Sequence, residues 1–140
     1  MTDKNNTCIF CKAVSGKAPS YKIYEDDKFV AILDIFPVTK GHVLVIPKTH
    51  YTWTYDVPEF GLYFEVAKKM QRAIDKALSP KWTQFFTHGS IAHAHIHVIP
   101  RYTDIESSPA KPEENTKKMI DPTEAEKLRS EIADAVSSLS

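Results

Sequence analysis

The sequence predicts an α+β fold: a five-stranded antiparallel sheet with one long helix, followed by a C-terminal helix. Three observations lead there. Short apolar or alternating segments come in runs, at 21–24, 29–33 and 42–46 and then at 82–86 and 91–102, rather than in strict alternation with helices. One stretch, Phe60 to Leu78, repeats apolar residues at helical spacing. Ala92 to Arg101 reads Ala-His-Ala-His-Ile-His-Val-Ile-Pro-Arg, so His93, His95 and His97 alternate with apolar residues. On a strand that period of two puts all three imidazoles on one face, and β-branched Ile96, Val98 and Ile99 favour a strand.

The 140 residues suit one domain with a single core, expected to span 8–102, followed by an exposed loop at 103–120 and a helix at 121–139. Cys8-Ile9-Phe10-Cys11 opens the folded part, with a helical turn to Val14 before Ser15-Gly16. Tyr21 to Tyr24 alternates like a strand, Glu25 to Lys28 is a polar turn, and Phe29 to Leu33 completes a hairpin. Asp34 to Gly41 is a loop broken by Pro37 and Gly41, and His42 to Ile46 is a central strand stopped by Pro47.

The long helix has Asp56 as its expected cap, Pro58 in its first turn and Glu59 three residues after the cap. Phe60, Tyr63, Phe64, Ala67, Met70, Ile74 and Leu78 form its apolar stripe, which reads as core packing rather than a cofactor box, and Ser79-Pro80 ends it. Trp82 to Phe86 is a strand, His88-Gly89-Ser90 a turn, and Ile91 to Tyr102 the histidine strand. Thr103 to Ile120 shifts to Pro, Ser, Lys and Glu, as exposed loops do. Asp121-Pro122-Thr123-Glu124 then starts a helix with Ala125, Leu128, Ile132, Ala135 and Leu139 along one side.

Lys+Arg and Asp+Glu balance at 18 each, so no global field recruits nucleic acid or an anionic membrane. A phosphate-bearing ligand must be held by local groups. No apolar run approaches a membrane span, and Met1 to Thr7 is polar without a signal-peptide core after it. The expected location is cytoplasmic, with no nucleic-acid or membrane partner.

Three neighbouring imidazoles share a metal, bind an anion or include a nucleophile. A neutral imidazole attacks phosphorus competently, splitting one displacement into two through a phosphorus–nitrogen adduct. Turn amides around Gly89 and Ser90 would help to hold the anion. The second constellation is Cys8, Cys11, His50 and one histidine of the strand. Cys-x-x-Cys is half of a tetrahedral zinc site and two histidines complete one, but the same pair also suits redox chemistry.

Cys8-Ile9-Phe10-Cys11-Lys12, Asp34-Ile35-Phe36-Pro37 with Gly41 to His50, and His93 to Arg101 resemble the histidine-triad (HIT) family, in order along the chain. The resemblance implies a HIT-like α+β fold, usually homodimeric, that hydrolyses or transfers nucleoside monophosphate groups on a purine nucleotide substrate. It implies His95 as the nucleophile at the α-phosphorus, His97 at the phosphate and leaving group, and His93 orienting the triad or serving as a zinc ligand. It implies a structural zinc on Cys8, Cys11, His50 and His93, and no organic cofactor. Asp34 corresponds to the carboxylate that accepts ribose hydroxyls, Ile9, Phe10 and Ile35 to the base pocket, and Ser90 to a phosphate-binding serine. Asp34 could instead cap a turn, and the three apolar residues could be plain core.

The chain departs from the family where many members carry Asn-x-Gly-x-x-Ala-Gly-Gln before the triad. Gly89 stands at the Gln position. Two other readings stand beside the hydrolase or transferase, the first of them suggested by that departure. One is a nucleotide-binding interaction protein with little turnover. The other is a zinc hydrolase whose three histidines are catalytic ligands.

Overall fold

The computed structural model describes residues 8–89, 91–103 and 118–139. In chain order the elements are α1 (Ile9–Ser15), β1 (Lys22–Glu25), β2 (Phe29–Leu33), β3 (Val43–Pro47), a 3-10 turn (Thr54–Asp56), α2 (Phe60–Leu78), β4 (Trp82–Phe86), β5 (Ile96–Arg101) and α3 (Pro122–Ser137). The strands form one sheet in the order β1-β2-β3-β5-β4, and every pairing is antiparallel. The expected fold class is the one observed.

The period of two divides the sheet into two buried faces. Phe29, Ala31, Leu33, Val43, Val45, Ile96 and Val98 point to α2 and α3. Val30, Ile32, Leu44 and Ile46 point the other way, onto Phe10 of α1. Both faces are covered, so β2 and β3 are buried at every position and read as continuous apolar runs. The β1–β2 turn is set by Asp26, whose carboxylate accepts the N–H groups of Lys28 and Phe29 at 2.8 Å each.

The long helix starts later than its capping signals suggest. Thr54–Asp56 forms the 3-10 turn, Val57 is extended at φ −69° and ψ 118°, and Glu59 is the N-cap without a side-chain capping bond, its carboxylate pairing with Lys28 instead. Pro58 explains the correction, because a residue before proline is pushed out of helical geometry, and Val57 is buried there. The apolar stripe also shifts. Val66 and Ala73 join the buried face, whereas Phe60 is 46 % exposed and rests on Phe64. Ser79 closes the helix in the left-handed region at φ 51°.

The histidine strand is shorter than expected. It begins at Ile96, because His93 N–H turns back to the Ile91 carbonyl at 2.8 Å and Ala94 N–H bonds Tyr51 at 2.7 Å. At the C-terminus Asp121 caps α3 by accepting the N–H groups of Thr123 and Glu124, and Pro122 fills the first position. Ala125, Leu128, Ile132 and Ala135 pack that helix into the core shared with α2. Of the loop expected at 103–120, residues 104–117 lie outside the described residues. Beyond it, Ile120 N–H bonds the Ile35 carbonyl at 2.8 Å.

Candidate active site and metal centre

A cleft of about 360 Å³ opens on the α1 face of the sheet. Ile9, Phe10, Ile32, Leu44, Ile35 and Phe36 give it an apolar end, and Asp34, His88, His95 and His97 line the rest. The alternation of β5 delivers His97 to this face, beside Leu44 of β3 and Phe86 of β4 in register. His95 lies just before the strand with its ring against Phe10, centroids 4.9 Å apart.

The tautomers in the cleft follow from a chain of hydrogen bonds that begins at a backbone amide. Val38 N–H donates to His42 Nδ1 at 3.0 Å, so the His42 proton sits on Nε2. That proton faces His97 Nδ1 at 2.8 Å, with Asp34 Oδ2 at 3.5 Å beside it. His97 Nδ1 is then the acceptor, and His97 Nε2–H donates to His88 Nε2 at 3.1 Å. Burial holds both inner rings neutral, His42 lowered to about 3 and His97 to about 2, with Arg101 near His42 and the surrounding imidazoles acting in the same direction.

His95 is oriented separately. Its Nδ1–H donates to the His93 carbonyl at 2.8 Å, which leaves the Nε2 lone pair directed to the cleft. Burial also lowers its pKa, so this ring is neutral and nucleophilic near pH 7. Asp34 caps the turn that follows it, Oδ1 accepting Phe36 N–H at 2.9 Å, while Oδ2 faces His42. Burial raises its carboxyl to about 6.

His93 does not share the cleft face with the other two. The turn at 91–94 swings it to the Cys pair, correcting the expectation of three imidazoles side by side. Its Nε2–H donates to the Pro47 carbonyl at 2.9 Å, leaving Nδ1 toward Cys8 Sγ at 3.2 Å and Cys11 Sγ at 3.5 Å. His50 Nδ1 lies 3.1 Å from Cys11 Sγ. The four ligand atoms are all within 4.8 Å of one another.

This donor set fits zinc. A tetrahedron with zinc–sulfur bonds near 2.3 Å and zinc–nitrogen bonds near 2.1 Å has edges of roughly 3.5 Å, and a ligating histidine normally donates its other N–H to a carbonyl. Burial and the neighbouring Cys8 push the Cys11 thiol up to about 11, a cost that a bound cation would remove. Among the described residues two other groupings, His88 with His95 and His97, and Asp34 with His42 and His97, also come within that span. In both, the Val38 amide fixes a proton on a nitrogen that a metal would need, on His97 Nε2 in the first and His42 Nε2 in the second. The cleft histidines are thus poorly disposed as catalytic zinc ligands.

The structure therefore brings Ile9, Phe10, Asp34, Ile35, His95 and His97 to one cleft, and Cys8, Cys11, His50 and His93 to one cluster behind it. Ser90 lies outside the described residues. Sequence reasoning passed over His42 and His88. His42 shares the period of Leu44 and Ile46, whose side chains face the α1 side, and that periodicity was a usable signal. His88 carries no such signal, since its place depends on how the turn after β4 folds back. Trp53 lies against that turn: a Cβ on Gly89 would come within 2.3 Å of the Trp53 ring.

A family profile described as HIT domain matches residues 15–104. Protein hit of Bacillus subtilis is 43 % identical over 103 residues, covering 68 % of this chain and 71 % of that protein. Adenylylsulfatase HINT3 of Arabidopsis thaliana is 38 % identical over 104 residues, 69 % of this chain and 53 % of that protein. Among solved structures, a hypothetical histidine triad nucleotide-binding protein from Sulfolobus tokodaii superposes with a TM-score of 0.81 at 29 % identity, over 94 % of this chain and 93 % of that one. A zinc-bound histidine triad family protein from Mycobacterium smegmatis gives 0.77 at 33 % identity, over 94 % of each chain.

Proposed function

The chain belongs to the HIT family, and from that premise we propose that it cleaves nucleoside phosphoramidates or dinucleoside polyphosphates at the α-phosphorus through a covalent adduct on His95. The single observation that carries this reading is the His95 Nδ1–H bond to the His93 carbonyl, which frees Nε2 as a nucleophile inside a cleft with an apolar end. A purine sits at Ile9, Phe10 and Ile35, and its ribose hydroxyls donate to Asp34. His95 Nε2 attacks phosphorus, His97 Nε2–H donates to a phosphate oxygen, and water later releases the nucleoside monophosphate.

The Cys8, Cys11, His50 and His93 cluster would hold a zinc ion, whose contribution is structural. It would tie α1 to His93, the residue whose carbonyl orients the nucleophile. We place a homodimer contact on the β4 edge and the Phe60 side of α2, where Phe85 and Phe60 are exposed. Light scattering of a Phe85→Glu variant, with a mass falling from two chains to one, checks that contact.

The test of function is intact-protein mass spectrometry after a rapid quench with adenosine 5′-phosphoramidate, beside His95→Ala. A transient gain of one nucleoside monophosphate in the native protein alone is expected, with turnover lost in the variant and the fold retained. Undiminished turnover in His95→Ala would sink the reading. One observation favours a second reading, a nucleotide-binding protein of low turnover: Trp53 occupies the space of any side chain at Gly89, where many relatives place a phosphate-binding Gln. One such donor is worth about 3 kcal/mol, roughly a hundredfold in rate. Nucleoside monophosphate binding without adduct or product is the outcome that favours it.

A further inference from the structure

We propose that His88 is the catalytic acid that protonates the leaving group, an inference that rests on the hydrolase reading above. Three connected observations lead to it. His88 lines the cleft with His95 and His97, and one ring nitrogen from each lies within 4.8 Å of the others. Its Nε2 accepts the His97 Nε2–H, which makes it the outer member of the series His42, His97, His88. Unlike His42 and His97, it is only partly buried.

The inner end of that series is closed. Val38 N–H occupies His42 Nδ1, so no net proton enters there. Asp34, the carboxyl beside His42, is committed to the ribose. His97 is neutral, and surrendering its last proton would leave a buried imidazolate. It can hydrogen-bond the phosphate but cannot supply a proton to a departing amine. His88, with access to water, can.

Binding of the phosphate draws the His97 Nε2–H onto a phosphate oxygen and releases His88 Nε2, which takes a proton from solvent. The bond from His95 Nε2 to phosphorus forms while the phosphorus–nitrogen bond of a phosphoramidate breaks. The electron pair of that bond stays on the departing nitrogen, which takes the His88 Nε2 proton and leaves as a neutral amine. In the second step a water attacks phosphorus, gives its proton to neutral His88, and returns the electron pair to His95 Nε2. The sum is one phosphoramidate and one water giving one nucleoside monophosphate and one amine. His88 ends the cycle protonated, as it entered the first step.

An acid of this kind matters in proportion to the basicity of what leaves. The experiment compares two substrates in native protein, His88→Ala and the closer-sized His88→Gln: an adenosine 5′-phosphoramidate of an alkylamine, and the 4-nitrophenyl ester of adenosine monophosphate, whose leaving group departs without a proton. Adenosine monophosphate affinity serves as the check on the pocket. Loss of the acid is expected to slow the alkylamine substrate by about a hundredfold or more, and the nitrophenyl ester by less than about threefold. Equal losses on both substrates would assign His88 a structural role and overturn the proposal, as would full activity on both. Should neither variant fold, native protein decides: a solvent deuterium isotope effect on adduct formation is expected with the alkylamine substrate, and its absence overturns the assignment. Native protein that cleaves neither substrate removes the hydrolase reading itself, and the inference with it.

Discussion

The Val38 amide donates to His42 Nδ1 at 3.0 Å, and a buried neutral imidazole with one nitrogen so occupied carries its proton on the other. From that one bond the tautomers of His42 and His97 follow, and with them the direction in which His97 presents a donor. His42 is fully buried and does not line the cleft, so its removal should be felt in the chemical step and not in binding. His42→Leu is expected to lower kcat roughly tenfold with little change in KM, the worth of about 1.4 kcal/mol of one buried hydrogen bond. His42→Gln, which keeps an N–H donor, should recover part of it. Steady-state kinetics on both variants decide this, and a raised KM at constant kcat would show that His42 shapes the pocket instead. His93, His95 and His97 could be named from sequence because identical side chains at a period of two are hard to produce by chance. The division of labour among them came only through the family resemblance, not from the spacing. It depends on a turn at 91–94 that sends His93 to sulfur and leaves its carbonyl for His95.

Among the elements, α1 matters beyond its length. Cys8 is its N-cap, with Sγ accepting Cys11 N–H at 3.4 Å, and the same two sulfurs reach His50 at the end of β3 and His93 before β5. The Cys-x-x-Cys spacing was legible, as was the strand ending before Pro47-Lys48. Their convergence was open in the sequence and was narrowed to His93 only by the resemblance, because it requires the order β1-β2-β3-β5-β4 that brings β3 beside β5. Zinc is expected at one equivalent per chain by elemental analysis of freshly purified protein, and Cys11→Ser should lose it. A cation at a hundred times its dissociation constant stabilises a fold by about 2.7 kcal/mol, so chelation should lower Tm by several degrees. Unchanged Tm with metal demonstrably removed would mean that the cluster holds α1 without a cation. The same physical distinction explains the long helix. Its apolar spacing announced the element, but Pro58 controlled its start by forcing Val57 to stay extended.

At the level of the whole molecule, the two buried sheet faces leave ionisable groups on the cleft side whose pKa values oppose one another as acid is added. Folding lowers His42 to about 3 and His97 to about 2 from an ordinary 6.5, so the unfolded chain binds their protons first. Each then removes about 1.4 kcal/mol of stability per pH unit below 6.5. Asp34 works in the other direction. Its carboxyl is raised from 3.8 to about 6, so the folded chain takes up that proton first and regains about the same amount per unit between 6 and 3.8. His42 and His97 against Asp34 leave a loss of about 2 to 3 kcal/mol between pH 7 and pH 5, to which His95, also lowered by burial, adds. His93, lowered to about 4 by burial, adds to the same side. Urea unfolding at the two pH values measures this, and His42→Gln should flatten the dependence by removing one of the histidines that lose stability on acidification. A midpoint that held steady or rose on acidification would mean that protonated imidazoles find compensating partners in the folded cleft. The cleft would then be able to hold positive charge while empty, and His97 could itself supply the leaving-group proton assigned here to His88.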